Sequence, residues 1–344
     1  MTTAWTAAHV ASLAATPWRE APLIDPAGCH PILPGYWLWD FWPAQDEAGD
    51  VVTIEGGQLW FALSAPHSPD PVDRHGAARI RAFHRCGDHW RDLGNAMPDG
   101  WSPGSREWSG SAIVRGNRLH LWFTAAGRRG EPAISFEQRL FEVQALIGPG
   151  LELSAWTPPV ELVAGNDEWY DPTRHTSGAI GTIKAFRDPA WFRDPLDGTA
   201  YLLFAGSVAH SGSAHNGAIG IAVWQDDEWR LQPPLITAEG VNNELERPHI
   251  VVFDGRYHLF WSTQASVFAP GLAAPTGLYA MVAPAMAGPW TPVGGSGLVL
   301  ANPAAAPAQA YSWLVAADGS VTSFVDMLPD HGFLGLPAPA LHLA

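Results

Sequence analysis

A short phrase recurs five times along this chain: a glycine, one or more polar residues, and then a strongly hydrophobic strand. The copies are Gly57–Leu63, Gly116–Phe123, Gly198–Phe204, Gly255–Trp261 and Gly319–Val325. A recurrence of roughly 60 to 80 residues is too long for a short solenoid repeat and fits propeller blades that carry loop insertions. The sequence therefore predicts an all-β fold, a five-bladed β-propeller.

The segment before each copy carries a conspicuous polar residue. The first four segments hold an acid and the fifth a tyrosine: Asp40, Glu107, Asp188, Glu246 and Tyr311. A radial fold aims equivalent positions of successive blades at a common axis. We therefore expect the active site in the central axial pocket, built largely from carboxylates.

Length and composition predict one domain. All-β propellers of 344 residues often form a single unit. At 47% hydrophobic and 15% charged residues, the chain has enough apolar surface for a core. No stretch is long or polar enough to be a linker between domains. We expect residues 1–344 to form one catalytic propeller domain, with residues 1–35 as an N-terminal arm and short helical turns between Met1 and Leu13.

The charge balance argues against some partners. The formal net charge is −15 and Lys184 is the only lysine, so a basic surface for nucleic acid or anionic membrane is not expected. No apolar run approaches the ~20 residues of a membrane span. The N-terminus lacks the basic and apolar regions of a signal peptide, which predicts a cytoplasmic protein or export without a cleaved leader. Cys29 and Cys86 are interpreted as unpaired thiols, with a single bridge as the alternative.

Tryptophans recur after the core strands and indicate outer strands. They are Trp90, Trp156, Trp229 and Trp290. One aromatic residue at an equivalent place in each blade is typical of packing between blades, and this is the role we expect for them.

The first two acidic segments combine a carboxylate with aromatic residues. Asp40 stands among four bulky aromatics in Trp37–Pro43, which is unusual for a surface aspartate. In Arg106–Ser111, Trp108 can stack on a sugar ring while small hydroxyl residues allow close approach.

The third and fourth segments need a choice between similar residues. Phe-Arg-Asp-Pro occurs at 186–189 and again at 192–195. Asp188 lies on the predicted inner strand, whereas Asp194 begins a turn-forming sequence, so we assign function to Asp188. Glu244 and Glu246 are two residues apart and face the same side of a strand. Arg247 points the other way, but its length lets it return toward a carboxylate.

Together these segments resemble glycoside hydrolase family 68, the levansucrase, inulosucrase and β-fructofuranosidase family, in its Gram-negative type. The resemblance covers roughly residues 35 to 335 in family order. It rests on the Trp-Asp, Glu-Trp-Ser-Gly-Ser, Phe-Arg-Asp-Pro and Glu-Leu-Glu-Arg-Pro motifs and on Asp73–Arg81, Phe136–Leu140, His215–Gly217 and Ala310–Trp313.

The resemblance implies retaining β-fructosyl transfer from sucrose through a covalent fructosyl-enzyme. By similarity, Asp40 is the nucleophile, Asp188 the transition-state stabiliser and Glu246 the general acid/base. A nucleophile and an acid/base about 5 to 5.5 Å apart suit retention. Glu246 must carry a proton near neutral pH, which Glu244 beside it favours. The residues expected to line the sucrose pocket are Trp39, Trp108, Ser109, Arg187, Glu244, Arg247 and Tyr311.

Two stretches depart from the family pattern. Ala265–Pro270 follows Gln264 where members usually carry a basic residue, and Phe204–Ser207 stands where the family often has Glu and Asn. These changes bear on the acceptor: they leave cleavage of a fructosyl donor intact and weaken the case for levan polymerisation. We expect no cofactor and no catalytic metal.

Alternative functions remain open. The enzyme is either mainly a transferase or a predominantly hydrolytic, invertase-like β-fructofuranosidase, and its donor is sucrose or a sucrose analogue. A catalytically silent carbohydrate-binding propeller and a scaffold for protein partners are hypotheses of other classes. The presence of Asp40, Asp188 and Glu246 favours the enzyme over both.

Overall fold

The computed structural model, which describes residues 2–16, 18–165, 168–171 and 183–343, is predominantly β. The N-terminal segment holds β1 (Thr3–Ala4), helix α1 (Ala7–Ala11), β2 (Arg19–Glu20) and 3-10 helices at Ser12–Ala15 and Pro26–Gly28. Helix α1 begins where Thr6 accepts a hydrogen bond from the main-chain N–H of His9, a side-chain cap. The helical turns predicted near the N-terminus are therefore confirmed.

The remaining described residues form four hydrogen-bonded sheets, which contain five antiparallel meanders, numbered 1 to 5 in chain order. Meander 1 contains β3 (Tyr36–Gln45), β4 (Thr53–Ile54), β5 (Gly57–Pro66), β6 (Arg79–Cys86) and β7 (His89–Asn95). Meander 2 contains β8 (Arg106–Arg115), β9 (Arg118–Ala126), β10 (Gln138–Ile147), β11 (Leu153–Ser154) and β12 (Val160–Glu161). Meander 3 contains β13 (Phe186–Arg193), β14 (Ala200–Ser207), β15 (Gly217–Gln225) and β16 (Glu228–Thr237).

Meander 4 contains β17 (Glu246–Phe253), β18 (Arg256–Thr263), β19 (Gly277–Ala283), β20 (Thr291–Pro292) and β21 (Leu298–Ala301). Meander 5 contains β22 (Ala310–Val315), β23 (Ser320–Leu328), β24 (Gly332–Pro337) and β25 (Leu341–His342). Further 3-10 helices lie at Pro71–Gly76, Pro149–Leu151, Ala265–Val267 and Val293–Gly295. Among the described residues, no helix has the length and apolar character needed to cross a membrane.

The first strands of the meanders meet one another in chain order. Strands β3 and β8 pair in parallel through Ala44 with Ala112 and Gln45 with Ile113. Strand β8 contacts β13, β13 contacts β17, β17 contacts β22, and β22 returns to contact β3. The residues that precede and open these five strands are therefore brought to one place.

The recurring glycine forms the turn between the first and second strands in four meanders. Gly116, Gly198, Gly255 and Gly319 have φ between 62 and 82°, a region that disfavours residues with a Cβ. In meander 1 the turn glycine is Gly56 (φ 77°), one residue before the recurring Gly57. Gly57 instead opens β5, where a Cβ would lie 2.7 Å from the carbonyl oxygen of Arg85.

Two of the recurring tryptophans contact aromatic rings of their own meander. Trp90 lies in β7 and contacts the rings of Phe41, Trp60 and Phe83. Trp229 likewise contacts Trp224 across its own hairpin. Both also border hydrophobic clusters whose buried members come from more than one meander. That the recurring tryptophans pack between blades stays a prediction.

The N-terminal segment runs along three meanders. Strand β1 pairs in parallel with β16, and β2 pairs in parallel with β21. Trp5 inserts between these contacts, with its ring centroid 5.3 Å from those of Trp261 and Tyr279, and its indole N–H donates to the carbonyl of Ser296 at 2.8 Å. Further along, Ile24 N–H donates to the Gln309 side chain beside meander 5.

We predict that Trp5→Ala destabilises the protein by about 3–5 kcal/mol, because it removes a fully buried aromatic ring and leaves a cavity. Urea and thermal unfolding measure this change. Trp18→Ala is the matched control, since Trp18 is 42% exposed and its loss should change stability by no more than about 0.5 kcal/mol. Equal effects of the two substitutions would contradict the anchoring role of Trp5.

Candidate active site

One pocket gathers all ten residues that the sequence singled out for the site. It has about 810 Å³ of empty space, part of it open to solvent, and is lined by Trp39, Asp40, Trp108, Ser109, Arg187, Asp188, Glu244, Glu246, Arg247 and Tyr311. Its lining residues come from all five meanders, so the pocket lies where the first strands meet.

Each first strand contributes two consecutive residues to the pocket. The pairs are Trp39 and Asp40, Trp108 and Ser109, Arg187 and Asp188, Glu246 and Arg247, and Tyr311 and Ser312. On a regular strand, consecutive side chains point to opposite faces. Here every first strand has a register shift at or directly after its pair, which is the mark of a β-bulge. A bulge re-aims side chains, and so both members of each pair reach the pocket.

Four of the paired residues adopt left-handed backbone conformations. The φ angles are 53° at Asp40, 61° at Asp188, 50° at Arg247 and 60° at Ser312. Residues other than glycine rarely adopt such angles, and they concentrate at functional sites when the surroundings enforce them. The same left-handed conformation thus recurs at the pocket in four of the five first strands.

Asp188 is held by hydrogen bonds from three directions. Its main-chain N–H donates to Thr124 Oγ1 at 2.9 Å, Ser109 Oγ donates to its Oδ1 at 2.8 Å, and the main-chain N–H of Arg247 donates to its Oδ2 at 3.2 Å. Burial nevertheless raises the pKa of Asp188 to about 6, against the opposing effect of Arg187. The hydrogen bonds thus fix the position of the carboxylate, and its raised pKa makes its ionisation sensitive to other charges in the pocket.

Arg187 stands among three carboxyl groups. Its Nη2 lies 2.6 Å from Glu246 Oε1 and 3.5 Å from Glu244 Oε1, and its Nε lies 3.8 Å from Asp188 Oδ2. Its pKa is raised because these three carboxyls outweigh the effect of burial. One guanidinium therefore neutralises part of a dense negative charge and orients two glutamates.

Glu246 is the most exposed carboxyl in this group. Its side chain is 19% exposed, compared with 3% for Glu244 and 6% for Asp188. Tyr311 donates its hydroxyl proton to Glu246 Oε2, and burial raises the pKa of Tyr311, which keeps the phenol protonated. Glu246 is thus oriented by two partners and reaches furthest toward the open part of the pocket.

Asp40 is half-buried next to Arg247. Burial raises the pKa of Asp40, while Arg247 and hydrogen bonds from Ser312 and Ser109 lower it. The guanidinium of Arg247 donates to Ser312 Oγ at 2.8 Å and to the carbonyl of Phe41 at 3.1 Å. As expected from its length, Arg247 reaches back into the site, but the bulge at its own position also turns it there.

Glu244 retains a proton at neutral pH. Complete burial raises its pKa to about 8, although Arg187 acts in the opposite direction. Its main-chain N–H donates to Asn242 Oδ1 at 2.7 Å, which fixes the segment just before β17. The site therefore holds a neutral carboxyl group beside Glu246.

Glu107 does not belong to the pocket, so the expectation that it faces the axis was wrong. Its carboxylate accepts hydrogen bonds from Arg79 Nε at 2.9 Å and from the main-chain N–H of Ile80 at 2.8 Å. Trp108 follows it and points to the pocket, so Glu107 points to β6 instead. Its role is to link β8 to β6. Asp194, by contrast, lies in the predicted turn, where it accepts from the N–H of Leu196 at 2.9 Å.

Several pocket residues had no assigned role. They are Leu63, Arg74, His75, Ile183, Gln264, Ser312, Phe324 and Asp326. Arg74 and His75 lie in the Asp-Arg-His motif, and Ser312 follows Tyr311, so motif membership was a usable signal for these. Burial lowers the pKa of His75 to about 3, which keeps its ring neutral.

The two departures from the family pattern lie in different surroundings. Gln264 lines the pocket, next to the 3-10 helix Ala265–Val267. Ser207 instead belongs to the buried strand β14, where its hydroxyl accepts from the N–H of Ala185 at 2.9 Å. Of the two departures, Ala265–Pro270 is therefore the one that lies next to the site.

A second cavity adjoins the first. It has about 1150 Å³ of empty space, part of it open to solvent, and shares Asp188 and Arg247 with the pocket, while Trp42, Trp191 and His249 contribute to its other walls. Asp188 and Arg247 thus line both cavities. Within the described ranges, no group of three or more His, Cys, Asp and Glu side chains is arranged to hold a metal ion.

A pocket lined by five carboxyl groups, three guanidinium groups and two tryptophans has the composition of a carbohydrate-active enzyme site. Comparisons with known proteins specify the class further. The family model described as levansucrase/invertase matches residues 1–216 and 211–334. The chain belongs to this family, glycoside hydrolase family 68, and is a glycoside hydrolase-family enzyme.

Individual relatives agree with this assignment. Levansucrase LscA of Pseudomonas savastanoi pv. glycinea is 32% identical over 377 residues, which span 95% of this chain and 88% of that protein. The structure is similar to an inulosucrase from Halalkalicoccus jeotgali bound to kestose, with a TM-score of 0.90, 34% identity, and coverage of 100% and 94% of the two chains. It is also similar to the catalytic domain of a β-fructofuranosidase from Microbacterium saccharophilum K-1 (TM-score 0.86, 26% identity, coverage 99% and 88%).

We predict that Glu244→Gln changes how stability depends on pH. The folded-state pKa of Glu244, about 8, lies above that of an unfolded glutamate, about 4.3. The stability that depends on its proton is present below the unfolded pKa and is lost as pH rises through about 8. Since glutamine stays neutral, the melting temperature of the variant minus that of the wild type should increase between pH 5 and pH 8.

Thermal melts across this pH range measure the difference. Glu152→Gln, the same substitution at an exposed position, is the control and should shift little with pH. A constant or shrinking difference for Glu244→Gln would show that Glu244 is ionised in the folded protein at neutral pH.

Proposed function

We propose that this protein transfers β-fructosyl groups from sucrose with retention, releasing glucose and passing the fructosyl group to water or a sugar acceptor. The observation that carries the proposal is the convergence of Asp40, Asp188 and Glu246 from three meanders on one pocket. The similarity to a levansucrase, and to an inulosucrase bound to kestose, supports sucrose as the donor and fructosyl transfer as the reaction.

In this mechanism Asp40 is the nucleophile and Glu246 the general acid/base. Glu246 gives its proton to the glycosidic oxygen as the bond to the anomeric carbon of fructose breaks, and glucose leaves. An oxygen of Asp40 forms the new bond to that carbon, which gives a covalent fructosyl-enzyme. Glu246 then takes a proton from water or a sugar hydroxyl, which displaces Asp40.

Asp188 acts as the transition-state stabiliser. Positive charge develops on the fructosyl ring as the bond breaks. A fixed carboxylate that accepts hydrogen bonds from Ser109 and the Arg247 main chain is preorganised to meet this charge. The substrate-binding residues are Trp39, Trp108, Ser109, Arg187, Glu244, Arg247 and Tyr311.

The proposed architecture is a single catalytic domain, residues 1–344, folded as a five-bladed propeller with residues 1–35 as its N-terminal arm. Its support is the set of five meanders whose first strands contact one another in sequence and return from β22 to β3. In such a ring the first strands surround the axis, and the pocket is the axial cavity. Neither nucleic acid nor a membrane has a part in the proposal.

We predict that Asp40→Asn and Glu246→Gln each abolish glucose release from sucrose while the melting temperature stays within a few degrees of the wild type. Both substitutions keep the side-chain shape and remove the charge or proton that the double displacement needs. A coupled glucose assay gives the measurement. Activity within tenfold of the wild type in either variant would refute the assigned role.

The repeated Phe-Arg-Asp-Pro sequence provides a matched pair of variants. Asp188→Asn should lower kcat for sucrose by about 10²–10³-fold, the range for loss of one preorganised electrostatic contact. Asp194→Asn changes the copy in the turn, and the folded variant should keep its kcat. Similar losses in both variants would show that the effect reflects folding and not the site.

The fate of the fructosyl group is tested by product analysis. After incubation with sucrose, glucose, free fructose and oligosaccharides are measured separately. Transfer predicts more glucose than free fructose, with the difference recovered in oligosaccharides. Equal amounts would identify a hydrolytic β-fructofuranosidase, and no glucose would indicate another donor.

A further inference from the structure

Two charged residues with no part in the proposed chemistry face the same pocket. Arg74 lies on the 3-10 helix Pro71–Gly76 of meander 1, and Asp326 lies on β23 of meander 5. The charges that shift the pKa of Asp326 are those of Arg74 and Asp40. The charges that shift the pKa of Glu244 come instead from Arg187, Glu246 and Asp188. Arg74 and Asp326 therefore form a group near Asp40, apart from the charges around the two glutamates.

The carboxylate of Asp326 lacks a protein partner although it is largely buried. Its main-chain N–H donates to the carbonyl of Gln309 at 2.9 Å, which places the residue on the strand. Its side chain makes no hydrogen bond or ion pair to any residue in the part of the chain that the structure describes. The side chain borders the pocket, so a ligand there can reach it.

The guanidinium group of Arg74 is fixed in position, but not all of its N–H groups make hydrogen bonds. Its Nη1 donates to the carbonyl of Pro71 at 2.8 Å, and its guanidinium lies 4.0 Å from the ring centroid of Phe333 and 5.6 Å from that of Trp39. Its Nε is buried without a hydrogen-bond partner. Contacts with two aromatic rings thus fix the guanidinium plane while part of its hydrogen-bonding edge stays unused.

Without a ligand, the Asp326 carboxylate and the Nε–H of Arg74 have no hydrogen-bond partner among the described residues, which is costly. A buried polar group left unsatisfied costs about 1–3 kcal/mol. A sugar hydroxyl both donates and accepts, so one or two hydroxyls can satisfy the two groups together. Neighbouring Trp39 adds an aromatic wall against which a sugar ring can pack.

We infer that Arg74 and Asp326 bind hydroxyl groups of the furanose that is transferred, and do not contact the departing glucose. The inference rests on the proposed function, in which Asp40 attacks one face of the anomeric carbon and Glu246 protonates the leaving group on the other. Because Asp40 bonds to the transferred ring, groups beside Asp40 and the adjacent Trp39 lie next to that ring. The pair determines specificity for the sugar that becomes attached to the enzyme, whatever the leaving group.

The test compares fructose with glucose as inhibitors of Asp326→Ala. Loss of a charged hydrogen bond should raise the inhibition constant for fructose about tenfold or more, whereas that for glucose should stay within about twofold. kcat/KM should fall by about ten- to a hundredfold, and by the same factor for sucrose and raffinose, which share the fructosyl unit but differ in the leaving group. Asp330→Asn, on the exposed turn of the same hairpin, should change none of these values.

An unchanged inhibition constant for fructose would overturn the inference. So would a parallel shift for glucose, or different factors for sucrose and raffinose, since both outcomes would place Asp326 on the leaving-group side. If Asp326→Ala does not fold, the isosteric Asp326→Asn should show the same selective weakening at about threefold or more. A wild-type protein that releases no glucose from sucrose would refute the proposed function instead, and calorimetry with fructose would still report whether Asp326 contacts a furanose.

Discussion

The backbone bulges in the five first strands are the constraint on which the site depends. Without them, each strand would present one residue of each pair to the pocket and bury the other. Left-handed residues such as Asp40 and Asp188 cost on the order of 1–3 kcal/mol each. Hydrogen bonds hold them in place: Asp188 N–H donates to Thr124, and Arg247 N–H donates to Asp188. The strain is therefore carried by a network that also orients the carboxylates.

Because each first strand contributes two consecutive residues, many charged side chains fit into one small pocket. Asp40, Asp188, Glu244 and Glu246 would repel one another strongly if all were ionised behind a low-dielectric wall. Arg187 and Arg247 offset part of this charge, and burial leaves Glu244 protonated. The remaining negative potential suits a reaction in which a sugar ring becomes transiently positive.

Sequence reasoning reached the predominantly β class of fold and selected residues that line one pocket, because both leave local signals. The glycine before each core strand marks a turn, and rare combinations such as Trp-Asp or Glu-Leu-Glu-Arg-Pro mark the strands at the pocket. It failed where the outcome depended on tertiary geometry. Glu107 turns to Arg79 and Ile80 because Trp108 takes the inward direction, and no local pattern specifies which of the two faces in.

Asp326 is a pocket residue that sequence reasoning missed for the same reason. Its sequence neighbours are ordinary strand residues, and only the approach of meander 5 to Arg74 of meander 1 places its carboxylate at the pocket. The bulges also leave no recognisable signal in the sequence. Aspartate tolerates left-handed backbone, but arginine and serine at the equivalent places give no such hint.

The two residues that the pocket shares with the second cavity couple changes in one to the other. Asp188 and Arg247 line both cavities, and the main-chain N–H of Arg247 donates to the Asp188 carboxylate. A substitution in the second cavity that shifts either residue therefore also moves a carboxylate and a guanidinium of the active site. Residues that never touch a sugar can in this way alter its chemistry.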